Sequence, residues 1–236
     1  MYYNLQVHSA YDLLNSTIKY ESLFLKLARD NQKSVVIVDP NMYGAIKAHK
    51  ESKKAGINLI QGLEVNLGYG IGFLKFNILC KSEKMFYKLL EISTKFMNGE
   101  EWTVENFSSE MKEYSDDFVL IVVDELRDSM EFSYLNNIFS NYDFYFGFNE
   151  SFQVSPYSFY ENVVYTKPSF YLNKEIYQQV IVSRAIRDNK KLNIQELTTI
   201  SGDEFVRELK DFEEILALGD EELHSIFKKS FENQQN

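Results

Sequence analysis

The sequence predicts an α/β barrel, and three observations point there. Apolar runs too short for helices alternate with stretches of 3.6-residue periodicity along most of the chain, the pattern of parallel strands joined by crossover helices. About seven such runs can be counted before residue 167. Those in the first third each bring a metal-capable side chain to a strand end: His8 after Tyr2 to Val7, Asp39 after Ser34 to Val38, and Glu64 within Leu59 to Val65. Strand ends are where barrel enzymes assemble sites from residues far apart in sequence.

Taken in order, a helix over about Tyr20 to Asp30 places Leu23, Phe24 and Leu27 on one face. Ser34 to Val38 is β-branched and apolar on both faces, as a strand covered on both sides should be, and Asp39-Pro40-Asn41 breaks it. A helix from about Met42 to Ala55 is closed by Gly56, which takes the left-handed conformation without a Cβ penalty. Leu59 to Val65 and Phe73 to Cys80 are strands around Gly68-Tyr69-Gly70-Ile71-Gly72, read as a hairpin turn because no helix opens behind the glycines. Ser82 caps a helix striped by Met85, Phe86, Leu89, Leu90, Ser93, Phe96 and Met97. Further strands are expected at Phe118 to Val123, Asp143 to Phe148 and Asn162 to Thr166. Helices are expected at Thr103 to Glu113, Ser129 to Asn141, Lys174 to Asp188, Asp203 to Leu218 and Glu221 to Phe231. The division is a barrel over 1–192 and a helical extension over 193–236, with frayed ends from Glu232.

At 236 residues and 44% hydrophobic, the chain can bury one large core. Its 35 acidic against 25 basic residues, net -10, oppose tight binding to nucleic-acid phosphates. The single cysteine, Cys80, forms no internal disulfide and no thiolate zinc cluster. No apolar stretch approaches the ~20 residues of a membrane span and the polar start lacks signal-peptide character, so a cytoplasmic, soluble protein is expected.

With these residues laid out, the chain resembles the PHP (polymerase and histidinol phosphatase) domain found at the N-terminus of the alpha subunit of bacterial DNA polymerase III. The likeness runs through Leu5-Gln6-Val7-His8-Ser9-Ala10, Val38-Asp39-Pro40-Asn41, Ala55-Gly56-Ile57 to Gly62-Leu63-Glu64-Val65, Ile78-Leu79-Cys80-Lys81-Ser82, and Ala185-Ile186-Arg187-Asp188-Asn189. The resemblance implies a distorted (β/α)7 barrel in which His, Asp, Glu and Cys ligands hold clustered metal ions that cleave phosphoesters. Such ions activate water and neutralise phosphoryl charge.

Against that pattern, His8, Asp39 and Glu64 are retained, whereas Gln6, Pro40, Lys75, Pro168 and Phe170 stand where the resemblance places other ligands. The family's cysteine falls near Asp124 or Glu125, of which Glu125 is able to bind a hard ion. The retained trio reads as a hydrogen-bonded structural network, with functional metal binding as the alternative. Lys75 reads as a cation replacing metal charge between Asp39 and Glu64, or as an ammonium reaching solvent. His49 and His224 read as surface or partly buried histidines, and the lysines of the second helix (Lys47, Lys50, Lys53, Lys54) as a solvated face. Ser9 and His8 are adjacent in an extended run and point to opposite faces, which argues against a nucleophile-base pair.

The resemblance implies the N-terminal module of a replicative polymerase, a nucleotidyltransferase, with this segment inactive alone. It would support the polymerase, dock a proofreading exonuclease, and contact the other polymerase domains and replisome subunits, with no cofactor beyond a single weak divalent ion (zinc, manganese or magnesium). The alternatives are a free-standing metal-dependent phosphoesterase of the histidinol phosphatase kind, and a regulatory binding protein descended from one.

Overall fold

The computed structural model describes residues 3–149, 152, 155–193, 202–218 and 221–234. The strands are β1 (Ser34–Asp39), β2 (Asn58–Tyr69), β3 (Gly72–Cys80), β4 (Phe118–Val122), β5 (Asp143–Phe148) and β6 (Val163–Tyr165). They form one six-stranded sheet in sequential order. The main helices are α1 (Tyr20–Arg29), α2 (Ala45–Ala55), α3 (Glu83–Met97), α4 (Val104–Glu110), α5 (Ser129–Ile138), α6 (Tyr177–Arg187), α7 (Leu209–Leu218) and α8 (Glu221–Asn233). Local signals work as read: Gly56 ends α2 at φ 67°, and the Ser82 hydroxyl accepts the Met85 N–H at 3.1 Å.

Two expectations about the sheet change. The sheet is not wholly parallel: β1–β2, β4–β5 and β5–β6 are parallel, but β3 is antiparallel to both β2 and β4. The cause is local, because the turn at Gly70 (φ 57°) returns the chain at once and pairs Tyr69 with Gly72. Nor does Tyr2 to Val7 form a seventh strand; Tyr2 itself lies outside the described residues. Val7 makes isolated parallel bridges to Ile37 of β1 and to Ser169 beyond β6. The Asn4 side chain is spent on Gln32 and on the backbone of Arg207. Six strands thus curl, and Val7 links the first of them to the segment that follows the last.

Side chains alternate across the curled sheet. Val36, Val38, Leu79, Ile121, Val123 and Val164 fill the concave interior, while Leu63, Val65, Phe76, Ile78, Phe146 and Phe148 pack outward in the larger helix-facing core. The C-terminal helices join that outer core through Phe212, Ile226 and Phe227. The helix expected from Asp203 begins only at Leu209, because Glu204 to Val206 pairs its backbone with Phe170 and Tyr171 instead. Residues 194–201, next to the expected boundary at 192/193, lie outside the described residues. The expected fraying from Glu232 is also revised: Asn233 donates to the carbonyls of Glu161 and Val163, both at 2.8 Å.

Candidate functional site at the strand ends

The β1–β2 pairing ends at Asp39 opposite Leu63, and β2 runs on alongside β3 to pair Asn66 with Lys75, so Asp39, Glu64 and Lys75 lie close together where β1 stops. Asp124 follows β4 and Phe170 follows β6 to the same region. Above them opens a cleft of about 610 Å³ whose walls include Gln6, Lys75, Asp124, Phe170, Arg184 and Arg187.

His8 lies behind the Phe170 wall of the cleft, fully buried. Its Nδ1 is 3.2 Å from Asp12 Oδ2 and its Nε2 3.4 Å from Glu64 Oε2, ion-pair distances without hydrogen-bond alignment. Its ring stacks on Phe170 with centroids 4.5 Å apart, and the Arg184 guanidinium covers the Phe170 ring at 4.6 Å. Burial alone would lower the His8 pKa, but contact with Asp12 and the charges of Glu64 and Asp39 outweigh it and raise the pKa above its ordinary value. Asp12 also accepts from Asn15 at 2.7 Å, and Asn15 in turn accepts from Arg184 and Arg187. A polar chain therefore runs from α6 to the buried imidazole.

Asp39 faces the other way. One carboxylate oxygen accepts the Ser9 N–H at 2.6 Å and the other the Ser9 hydroxyl at 2.5 Å, with the Tyr20 hydroxyl 3.3 Å away. Burial raises the Asp39 pKa, the Ser9 hydrogen bonds opposing it. Burial, followed by the Asp39 charge, also pushes the Tyr20 phenol up.

This arrangement corrects the expectation for Lys75. Its ammonium lies 3.5 Å from Glu64 Oε1, but the contacts of Asp39 are made by Ser9 and Tyr20, so Lys75 does not stand between the two carboxylates. Its backbone N–H is accepted by Asp124 at 2.7 Å, which brings Asp124 into this region, while Glu125 is exposed. Gln6 and Phe170 are buried, Pro168 half-buried and Pro40 exposed. His49 and His224 are exposed and far from this set in the fold, on α2 and α8.

The donors do not fit the clustered metal ions that the resemblance implies. Both oxygens of Asp39 already accept hydrogen bonds, both His8 nitrogens face carboxylates, and an ammonium sits beside Glu64. Among the described residues no group of three or more His, Cys, Asp or Glu is placed to hold a metal ion.

Sequence reasoning missed Asp12, Asn15, Tyr20 and Arg184, and it weighed Ser9 only beside His8, not as the partner of Asp39. Only the His8-to-Asp12 spacing was available as a signal, since residues four apart meet when the chain turns; the others are joined by tertiary closure. Asn77 was missed as well. It lies opposite Glu64 in register, fully buried, and its amide has no hydrogen-bond partner among the described residues.

Comparison with known proteins places this site in context. The DNA polymerase III subunit alpha of Borreliella burgdorferi is 28% identical over 168 residues, 60% of this chain and 15% of that protein. The subunit of the same name from Mycoplasma genitalium is 34% identical over 93 residues, 39% of this chain and 11% of that protein. The chain thus spans less than a fifth of the length of the curated relatives it matches. An amidohydrolase from Chromobacterium violaceum superposes with a TM-score of 0.45 at 10% identity, covering 89% of each chain. The family model for the PHP domain matches residues 4–151, more than half of the sequence and every retained site position, and the chain belongs to the PHP domain family.

Proposed function

We propose that this chain is the N-terminal PHP module of a bacterial replicative DNA polymerase III alpha subunit, with its metal site converted into a structural network. In this reading the barrel is a distorted (β/α)7 form whose seventh strand is reduced to the Val7 bridge. It occupies 1–192 with a helical extension over 193–236, and it works in the cytoplasm. Its role is to brace the adjoining polymerase domains and to offer a platform to replisome subunits, a proofreading exonuclease among them, without a resident cofactor. The observation that carries the reading is the stack of Phe170 on His8 at 4.5 Å. An apolar ring, capped by Arg184, occupies the position where the family pattern has a metal-binding histidine, and an apolar ring supplies no lone pair to a hard cation.

The test is an activity assay on the 236-residue chain with a 3'-ended DNA oligonucleotide and a phosphomonoester, each with added manganese or zinc. The expected outcome is no turnover above buffer. Metal-dependent turnover that disappears in His8→Ala would replace this reading with the free-standing phosphoesterase.

A further inference from the structure

On the side of the sheet away from the cleft, α2 and α3 both rest on β2 and leave a groove between them. Ser93 of α3 closes one end by accepting the Met42 N–H at 3.2 Å. Between the two helices lies a trough of about 550 Å³ walled by Ile46 and His49 of α2, Leu59 of β2, and Phe86 and Tyr87 of α3. Ile46 and Tyr87 are each 63% exposed, and Tyr43, just before α2, is 70% exposed. Large apolar side chains exposed together around a concavity mark an interaction surface rather than ordinary surface scatter. The volume lies within the range that accommodates several anchoring side chains.

The charge around the groove identifies the occupant. Helical geometry puts Lys50 and Lys53 on the stripe of Ile46 and His49, since residues three and four apart share a face. Lys47 and Lys54 are neutralised by Glu21 at 2.8 Å and Glu51 at 2.6 Å. Lys50 and Lys53 have no acidic partner among the described residues, although the chain as a whole carries ten more acidic than basic groups. Glu83, the acid on the groove wall, lies at the start of α3 beside Lys81, which pairs with Asp143 at 3.3 Å.

We propose that the groove between α2 and α3 is a docking site for an acidic amphipathic helix of a partner protein, with apolar anchors seated between Ile46 and Tyr87 and carboxylates facing Lys50 and Lys53. A helix laid in such a groove presents anchors at i, i+3 or i+4, and i+7, and its flanking charges set specificity. The surface stands on the opposite side from the strand-end site, so it is independent of whether that site retains chemistry.

A display library of random peptides of about 16 residues, roughly 24 Å as a helix, panned against the 236-residue chain tests this. The expected result is enrichment of net-acidic sequences with apolar residues at helical spacing. Their amide shift perturbations should centre on Ala45, Ile46, His49 and Tyr87. Lys50→Glu with Lys53→Glu should weaken binding by roughly five- to tenfold, and Ile46→Asp should abolish it. All three positions are exposed, so folding is checked simply by an unchanged thermal midpoint. Enrichment of basic or uncharged binders, perturbations elsewhere, failure to enrich any groove binder, or concentration-dependent self-association lost in Ile46→Asp would each overturn the assignment, the last by showing a second copy as the occupant.

Discussion

At His8, burial and charge act in opposite directions on one imidazole, and charge prevails, so the folded-state pKa lies above 6.5. Folding therefore favours the protonated ring. The stabilisation is complete below the unfolded-state value, about 6.5, and is lost as pH rises through the raised folded value. Urea unfolding of the parent and His8→Gln across neutral to alkaline pH should show the parent's advantage shrinking as pH rises; an advantage that grows with pH would contradict this sign. Lys75 offers a second test at the same scale. Its side chain is 37% exposed, so its pairing with Glu64 is worth only about 0.2 to 1 kcal/mol. A double-mutant cycle of Lys75→Met with Glu64→Gln should reveal a coupling of that size. With Asp39→Asn the effects should add within about 0.5 kcal/mol, and strong coupling there would restore the view that Lys75 bridges both carboxylates.

Among the elements, strands approach too closely for a Cβ at two buried positions, Gly62 and Gly147. A Cβ on Gly62 would come within 2.7 Å of Val38 and 2.9 Å of the Ile78 carbonyl. On Gly147 it would lie 2.5 Å from Thr166 Oγ1 and 2.7 Å from the Val122 carbonyl. Because the Val122 atom is backbone, the strand itself has to move. Gly147→Ala should cost roughly 1 to 3 kcal/mol by overpacking, read as a lower urea midpoint at unchanged m-value. Gly72→Ala is the control: nothing lies within 4 Å of its Cβ position, and the change should stay within about 0.5 kcal/mol. Equal effects at the two positions would mean that the interior relaxes freely.

For the whole molecule, the excess of acid decides what it can grip. With a net charge of -10, and with the cations of the cleft facing acids, as in Lys75 with Glu64, Arg184 with Glu204 at 2.9 Å and Lys167 with Asp203 at 2.6 Å, few counterions could be released from DNA. Binding of single- or double-stranded DNA should be no tighter than about 10⁻⁴ M at physiological salt. Fluorescence anisotropy measures this directly, and submicromolar affinity with a steep salt dependence would show a phosphate-binding surface unaccounted for here. No helix among the described residues is long and apolar enough to cross a membrane.

What could be read directly from the sequence were the features governed by neighbours along the chain. The β-branched run of β1, the Gly56 stop, the Ser82 cap and the Gly70 turn each follow from φ, ψ and hydrogen-bond requirements satisfied within a few residues. Of the three site positions expected at strand ends, only Asp39 ends its strand; Glu64 lies within β2, and His8 follows the isolated Val7 bridges rather than a strand. Their partners were not legible. Asp39 could have faced Lys75 or Ser9, and only the bridge of Val7 to Ile37 brings Ser9 beside it. Phe170 could have been ordinary core, and only closure of the sheet through Ser169 lays its ring on the imidazole. The same pairing reduced a predicted strand to the two isolated bridges of Val7 and drew Glu204 to Val206 into extended pairing before α7 begins. Local backbone preference sets where an element starts and stops, whereas the tertiary packing of distant segments decides which side chains meet.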